Sequence, residues 1–318
     1  MKSFIVLAAT ILAVSALSLH EQWADFKVKH GKSYKNIAEE TARFEIFQQT
    51  LKKIEEHNAK YEAGLSSFWM GVTKFADMTS EEFQAMMSKQ IISMPKIEGE
   101  RHVPFEVEPE EIDWREKGAV LEVKDQGQCG SCWAFSTTGS LEGQNAIING
   151  KNITLSEQQL VDCSGSYGNG GCNGGAMVYG LEYVRDHGIE SEDSYPYEAK
   201  QGDCKADPNK SVLKIKSFKL VDVSTEALKN AVGTVGPISV GLSSSGLQNY
   251  AGGIIDQNCQ GQVDHAVLAV GYGESPLPYW IIKNSWGKGW GENGFFRLAR
   301  ANNLCTISNT MAVYPILE

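Results

Sequence analysis

The chain has 318 residues, 42% of them hydrophobic, and a formal net charge of -10, which gives room for a sizeable core or for more than one domain. The acidic balance, with no basic stripe anywhere along the chain, argues against a nucleic-acid-binding surface. Past the first residues no run approaches the roughly 18 uninterrupted apolar positions of a membrane span.

Met1 to Ala16 opens with one lysine, runs apolar from Phe4 to Leu12 and reaches the small residues Val14-Ser15-Ala16, the pattern of a cleavable secretory signal. Secretion permits disulfides, so the seven cysteines become informative by being odd in number: six can pair and one is left over. All of them follow residue 128, so the stapled body begins late in the chain.

From Leu19 to about Met87 the sequence is charged and helical in pattern. Phe47, Leu51 and Ile54, with Phe44 alongside, fall on one helix face, and Glu39 stands four residues before Arg43 as an ion pair along the helix. This reads as a small helical domain. A hydrophilic link follows from Ser88 to Glu108, broken by Pro95, Gly99, Pro104 and Pro109, and reads as a linker or an exposed, cleavable segment.

Residues 108 to 318 differ in character, holding all the cysteines, most of the glycines and nearly all of the acidic excess. Up to about residue 220, helical stretches (134 to 148, 156 to 162, 175 to 187) alternate with glycine-rich loops. Beyond it, the apolar runs at 238 to 240, 266 to 270, 279 to 282 and 294 to 298 read as strands. A helical half and a β half make an α+β body with a cleft between the halves.

The chemistry concentrates in Gln126-Gly127-Gln128-Cys129-Gly130-Ser131-Cys132-Trp133-Ala134-Phe135. Helix-compatible residues follow Cys132 as far as Asn149-Gly150, which puts Cys132 at a helix N-terminus, where partial positive charge favours the nucleophilic thiolate. Lowering a thiol pKa from about 8.5 to roughly 4 takes about 6 kcal/mol, and a helix terminus supplies at most about 2. A cationic partner must therefore supply most of it. Of the six histidines, His20, His30, His57 and His102 lie before the end of the cleavable segment and His187 sits at a helix end, which leaves His265 at the head of an apolar strand. Asn284, in Lys283-Asn284-Ser285-Trp286-Gly287, is the candidate to orient the imidazole through its second nitrogen.

With cysteine, histidine and asparagine in that order, the body resembles the papain-like cysteine proteases, and within them the cathepsin L group. The likeness covers nearly the whole chain: Asp113-Trp114-Arg115, Cys129 to Phe135, Cys172-Asn173-Gly174-Gly175, the strand at His265, and Asn284-Ser285-Trp286-Gly287. It implies a two-domain α+β fold, with a helical left domain, a β-barrel-like right domain and the active-site cleft between them. It further implies disulfides Cys129-Cys172, Cys163-Cys204 and Cys259-Cys305, which leave Cys132 as the odd thiol. The leader resembles an inhibitory prodomain. The interspersed E-R-F-N-I-N motif of such helices is matched at Glu39, Arg43, Phe47, Ile54 and Asn58 with Thr50 in place of its first asparagine, and the G-x-N-x-F-x-D motif at Gly71, Phe75 and Asp77 with Thr73 for asparagine.

By that resemblance Cys132, His265 and Asn284 are catalytic, Gln126 joins the backbone N–H of Cys132 in the oxyanion hole, and Trp286 shields the His265–Asn284 bond. Substrate meets Gly174, Gly175, Ala176, Met177, Gly241, Val263, Trp286 and Thr310, which favours bulky hydrophobic side chains two residues before the scissile bond. The expected product is an autoinhibited zymogen of a cysteine endopeptidase, activated by acid through carboxylates such as Asp77: signal peptide 1–16, propeptide 17–107, peptidase 108–318. No insertion resembling the occluding loop of cathepsin B appears between Cys163 and Cys172, which favours endopeptidase action. No cofactor and no metal is expected. The implied partners are protein or peptide substrates, the chain's own propeptide and cystatin-like inhibitors, for a monomer without nucleic-acid or membrane partners, in the lysosome or a digestive extracellular space. Asn152-Ile153-Thr154 and Asn209-Lys210-Ser211 read as glycosylation sequons.

Other readings stay open on the residues alone. Cys129-Gly130-Ser131-Cys132 fits a redox C-x-x-C, although no βαβ pattern lies beside it, and a Cys/His metal site lacks a second closely spaced ligand pair. A catalytically inactive binding protein on the same fold is the third alternative.

Overall fold

The computed structural model describes residues 18–87, 99–309 and 312–318; the stretch expected to be a secretory signal, most of the link after Met87 and Thr310 lie outside them. The leader begins with α1 (Leu19–Lys29), started by a capping box in which Ser18 and Glu21 satisfy each other's backbone N–H. The long α2 (Ile37–Glu62) follows, capped by the Asn36 side chain. Its buried face runs Phe47, Thr50, Ile54 and His57 at helical spacing, and Phe47 closes an aromatic cluster with Trp23 and Phe26. Thr50 is therefore a buried member of that face.

The predicted Glu39–Arg43 pair does not form. Arg43 instead reaches α3 (Ser80–Met86) and takes Glu82 with both nitrogens, at 2.5 and 2.8 Å, while Glu39 accepts the backbone N–H of Lys35. A planar guanidinium gains more from a two-point contact with a carboxylate that bridges two elements than from a single-helix pair.

One strand escapes the helical reading of the leader. β1 (Phe68–Met70) is held by Asn58, whose amide donates to Met70 O at 2.9 Å and accepts from Met70 N at 2.8 Å. It pairs antiparallel with β5 (Tyr250–Ile255) of the body. The described part of the link, from Gly99, is not free either: Arg101 bridges in parallel to Leu220 and His102 N donates to Leu220 O at 2.7 Å, after which 103 to 107 run exposed.

In the body, the helical half is α4 (Cys132–Asn149), α5 (Glu157–Cys163) and α6 (Met177–His187), packed around Trp133, Leu141, Leu160 and Leu181. α4 ends as its sequence requires, on Gly150 at φ +62°. The β half comprises β2 (Ile112–Asp113), β3 (Ile215–Val221), β4 (Ile238–Leu242), β5, β6 (His265–Gly273), β7 (Tyr279–Lys283), β8 (Phe295–Ala299) and β9 (Ala312–Leu317), with α7 (Thr225–Thr234) against it. Together with β1 these strands form one sheet in the order β1-β5-β8-β7-β6-β4-β9-β3, with β2 beside β6. Every residue of β6 is buried, because α4 covers one face and the β-half core the other. The close approach of α4 needs Gly139, where a Cβ would stand 2.9 Å from a Leu268 methyl. Disulfides join Cys129 to Cys172, Cys163 to Cys204 and Cys259 to Cys305.

Phe47→Ala should remove about 3–5 kcal/mol from the leader's core. We expect it to unfold the leader well below the body in calorimetry of the full precursor; an unchanged leader transition would contradict the packing described here.

Candidate active site

Cys132 is the first residue of α4 and is buried. The turn before it is built by close approach: Gly130 N donates to Cys172 O at 2.9 Å, and a Cβ on Gly130 would lie 2.5 Å from that oxygen, so only glycine fits beside the Cys129–Cys172 bridge. Tyr197 OH donates to Gln126 O at 2.9 Å and so takes the Ser131 hydroxyl as its donor, at 2.5 Å. That ties the residue before the thiol to Gln126.

Two hydroxyl bonds clamp α4 to the β half. Ser136 Oγ donates to Val267 O on β6, and Ser239 Oγ on β4 donates to Ser136 O, both at 2.7 Å. Cys132 lies one helical turn before Ser136 on the same face, and His265 lies two residues before Val267 on the same strand. The clamp thereby directs the Cys132 face of the helix towards the head of β6.

His265 is 0% exposed, and its Nε2 lies 2.8 Å from Asn284 Oδ1. The same Oδ1 accepts Ser285 N–H at 2.9 Å, which fixes the amide with oxygen towards the ring. Nε2 must then be the donor, and Nδ1 is the nitrogen left for acid–base work. The Trp286 indole stacks on the imidazole with centroids 4.7 Å apart and planes 24° apart. Burial pushes the His265 pKa down to about 4, against the opposing Asn284 bond. Gln126, also buried, accepts Ser285 Oγ–H at 2.6 Å and donates one Nε2–H to Cys129 O at 2.9 Å, which leaves its second N–H uncommitted.

The leader covers this assembly. Phe75 and Phe83 meet the Trp286 ring edge-on at 5.3 and 5.4 Å, and Lys74 pairs with Asp125 at 2.6 Å, next to Gln126. Thr73 stands where the motif has asparagine and still makes a bond across the interface, from Oγ1 to Gln248 O at 2.8 Å; Gln248 returns two, to Phe75 O and Met78 O. Asp77 departs from expectation. It binds Lys32 at 2.7 Å and Tyr34 at 3.0 Å, both inside the leader, so its side chain holds the leader's own fold together instead of making a contact across to the body.

Of the predicted substrate positions, Gly174 (φ +120°), Gly175, Ala176 and Met177 form the turn into α6, and Ala176 and Met177 pack in the same cluster as Cys132, Trp133 and Ala266. Gly241 pairs with Ala266 beside His265, and Val263 sits half-buried two residues before it. Asn152 and Asn209 are exposed. Sequence reasoning missed a buried charge cluster behind the site: Lys124 meets Glu142 at 2.9 Å and Glu157 at 2.6 Å, with Lys283 buried nearby. Its one signal was Glu142, an acid on the small and apolar α4.

Comparison with known proteins gives a consistent result. The description "Papain family cysteine protease" matches residues 108–316, and "Cathepsin propeptide inhibitor domain (I29)" matches residues 23–83. A cathepsin L-like proteinase of Phaedon cochleariae is 50% identical, with both chains covered completely. Digestive cysteine proteinase 2 of Homarus americanus is 44% identical over 96% of this chain and 98% of its own. Digestive procathepsin L 3 from the larval midgut of Tenebrio molitor superposes with a TM-score of 0.85 at 44% identity, covering 95% of this chain and all of that one.

Burial in the covered state holds His265 at a pKa of about 4 instead of 6.5, so its protonation, as pH falls from about 6.5 towards about 4, favours any state in which the ring regains water. We expect leader affinity in a Cys132→Ser precursor to weaken through that window, by up to about tenfold per pH unit from this one group. His265→Ala should flatten the dependence, and an identical slope in both chains would refute the link.

Proposed function

The chain belongs to the papain family of cysteine proteases and carries a cathepsin propeptide inhibitor domain, and from that premise we propose that Cys132, His265, Asn284 and Gln126 perform the reaction. It is a cathepsin L-like cysteine protease made with its own propeptide. Nothing in the relatives supports an inactive binding protein. The observation that carries the assignment of roles is the fixed Asn284 amide, which commits Nε2 of His265 to donation and leaves Nδ1 for Cys132.

In the uncovered enzyme, Cys132 as thiolate attacks the peptide carbonyl carbon, and the oxygen takes up the charge. The uncommitted Nε2–H of Gln126 and the backbone N–H of Cys132 stabilise that oxyanion. The proton on Nδ1 of His265 passes to the leaving amine as the C–N bond breaks, giving a thioester. Nδ1 then takes a proton from water, the hydroxide adds to the thioester, and the thiolate leaves with the acid product released. Trp286 keeps water from the His265–Asn284 bond, and Asn284 keeps the ring in the tautomer that each step needs.

We place the signal peptide at 1–16, the propeptide at 17–107 and the peptidase at 108–318, with maturation in the exposed stretch 103 to 107 or just after it. Ala176, Met177, Gly241 and Val263 are small or apolar, and Thr310 brings no acid, which suits Leu or Phe two residues before the scissile bond. Three disulfides accord with the secretory pathway, and the digestive names of relatives favour a lysosomal or digestive extracellular site. Cystatin-like inhibitors suit the same cleft, and the reading is of a monomer with no cofactor.

The test is hydrolysis of a fluorogenic Phe-Arg peptide after acid incubation with a thiol reductant. Cys132→Ser should fold and be inactive, and Gln126→Ala should lower kcat by about 10²–10³; wild-type turnover in either would refute its role. A peptide library should be cut after sequences with Leu or Phe at the second position before the bond, and a profile dominated by Arg there would overturn the pocket assignment.

A further inference from the structure

Behind the His265–Asn284 pair lies a cavity of about 20 Å³, room for one water molecule, walled in part by Glu157, Lys283, Asn284 and Ser285. Two buried polar atoms of its wall residues have no hydrogen-bond partner: Nδ2 of Asn284, which is 3% exposed, and Oε2 of Glu157, which is 1% exposed. One is a donor and the other an acceptor. Both residues line the same one-water space, and a water there has an acceptor to offer the first and a donor to offer the second. Lys283, the residue before Asn284, is buried with no acid within 4.0 Å of its ammonium among the described residues, and offers the water a further donor.

We propose that this cavity is a water site through which Glu157 fixes the Asn284 amide, which makes Glu157 a positioning residue for Asn284 and, through it, for His265. The proposal rests on the reading of Asn284 as the residue that orients His265. Its physical content is the orientation of an amide with two nearly isosteric ends. The observed orientation gives Oδ1 to the N–H groups of His265 and Ser285 and Nδ2 to the water; the flipped one turns N–H towards both of those N–H groups, and the water tied to Glu157 holds the amide in place from its other end. Glu157 is itself held firmly. Its Oε1 accepts from Lys124 at 2.6 Å and from the Thr138 hydroxyl, so Oε2 is the oxygen that remains. Burial pushes the carboxyl upward and Lys124 opposes it; Glu142 is the like charge beside it, and Lys283 the facing cation on β7.

Glu157→Gln in the activated enzyme should lower kcat by about three- to tenfold, the weight of one buried hydrogen bond, with KM unchanged. In an Asn284→Ala background the same substitution should leave kcat unchanged. A role confined to stability would lower the melting temperature in both backgrounds and move kcat in neither, or move it equally in both, and either result overturns the proposal. Asn284→Ala with wild-type kcat would remove the underlying reading, and the proposal with it. Should the Glu157 variant fail to fold, a crystal structure of the Cys132→Ser precursor decides. A water within hydrogen-bond distance of Asn284 Nδ2 and Glu157 Oε2 supports the proposal, and a cavity holding none overturns it.

Discussion

Everything the site does depends on the clamp between α4 and β6. The thiol comes from a helix in one half of the body and the imidazole from a strand in the other. Neither residue's own element can set the distance between them, and the two hydroxyl bonds through Ser136 do so from one turn away. Gly139 lets the helix sit close enough for those bonds to form. Because β6 is buried on both faces, the register that presents His265 at its head is protected by the whole core: a slip of one residue would turn that side chain to the opposite face.

The leader exploits the same geometry in reverse. It adds a strand to the sheet edge at β5 and lays two phenylalanines on the indole that already covers His265. Removing water from an imidazole favours its neutral form, and a neutral imidazole cannot supply the cationic partner that a thiolate needs. In the covered state burial therefore holds His265 in its neutral form. His265 lies under the cover, and Asp77 lies within the leader, where it joins Lys32 and Tyr34.

Behind the site stands an expensive arrangement. Glu142, Glu157 and Lys283 are buried with Lys124 half-buried among them, and desolvating such charges offsets much of their mutual attraction. Glu142 also accepts the backbone N–H of Leu155, and Lys124 donates to Leu155 O, so the cluster pins the loop between α4 and α5 to both helices. Its lysines stand next to the candidate site in the chain, at one side of Asp125-Gln126 and immediately before Asn284. Hydrogen bonds of definite direction in such a cluster specify orientation in a way that apolar packing cannot.

Much of this was legible beforehand. The α4 start and its glycine stop, the strands at 238, 266, 279 and 294, the Phe47–Ile54 face and the pairing of His265 with Asn284 all follow from short-range pattern or from motif, because period, caps and chemistry are written locally. Thr73 and Thr50 depart from the motif letters yet occupy buried places in the leader. What the residues could not disclose was the choice of partner. Glu39 satisfied every local rule for pairing with Arg43 and lost to Glu82 on another element. β1 is three residues long and is a strand only because β5 lies beside it, and the strands β3, β5 and β9 carried too little alternation to stand out. The sequence by itself determined the elements, the reactive groups and their chemistry. Only the tertiary structure decided which charges meet, which donors stay buried and how the leader docks, since those choices are made between residues far apart in the chain, where competing partners differ by little until packing excludes all but one.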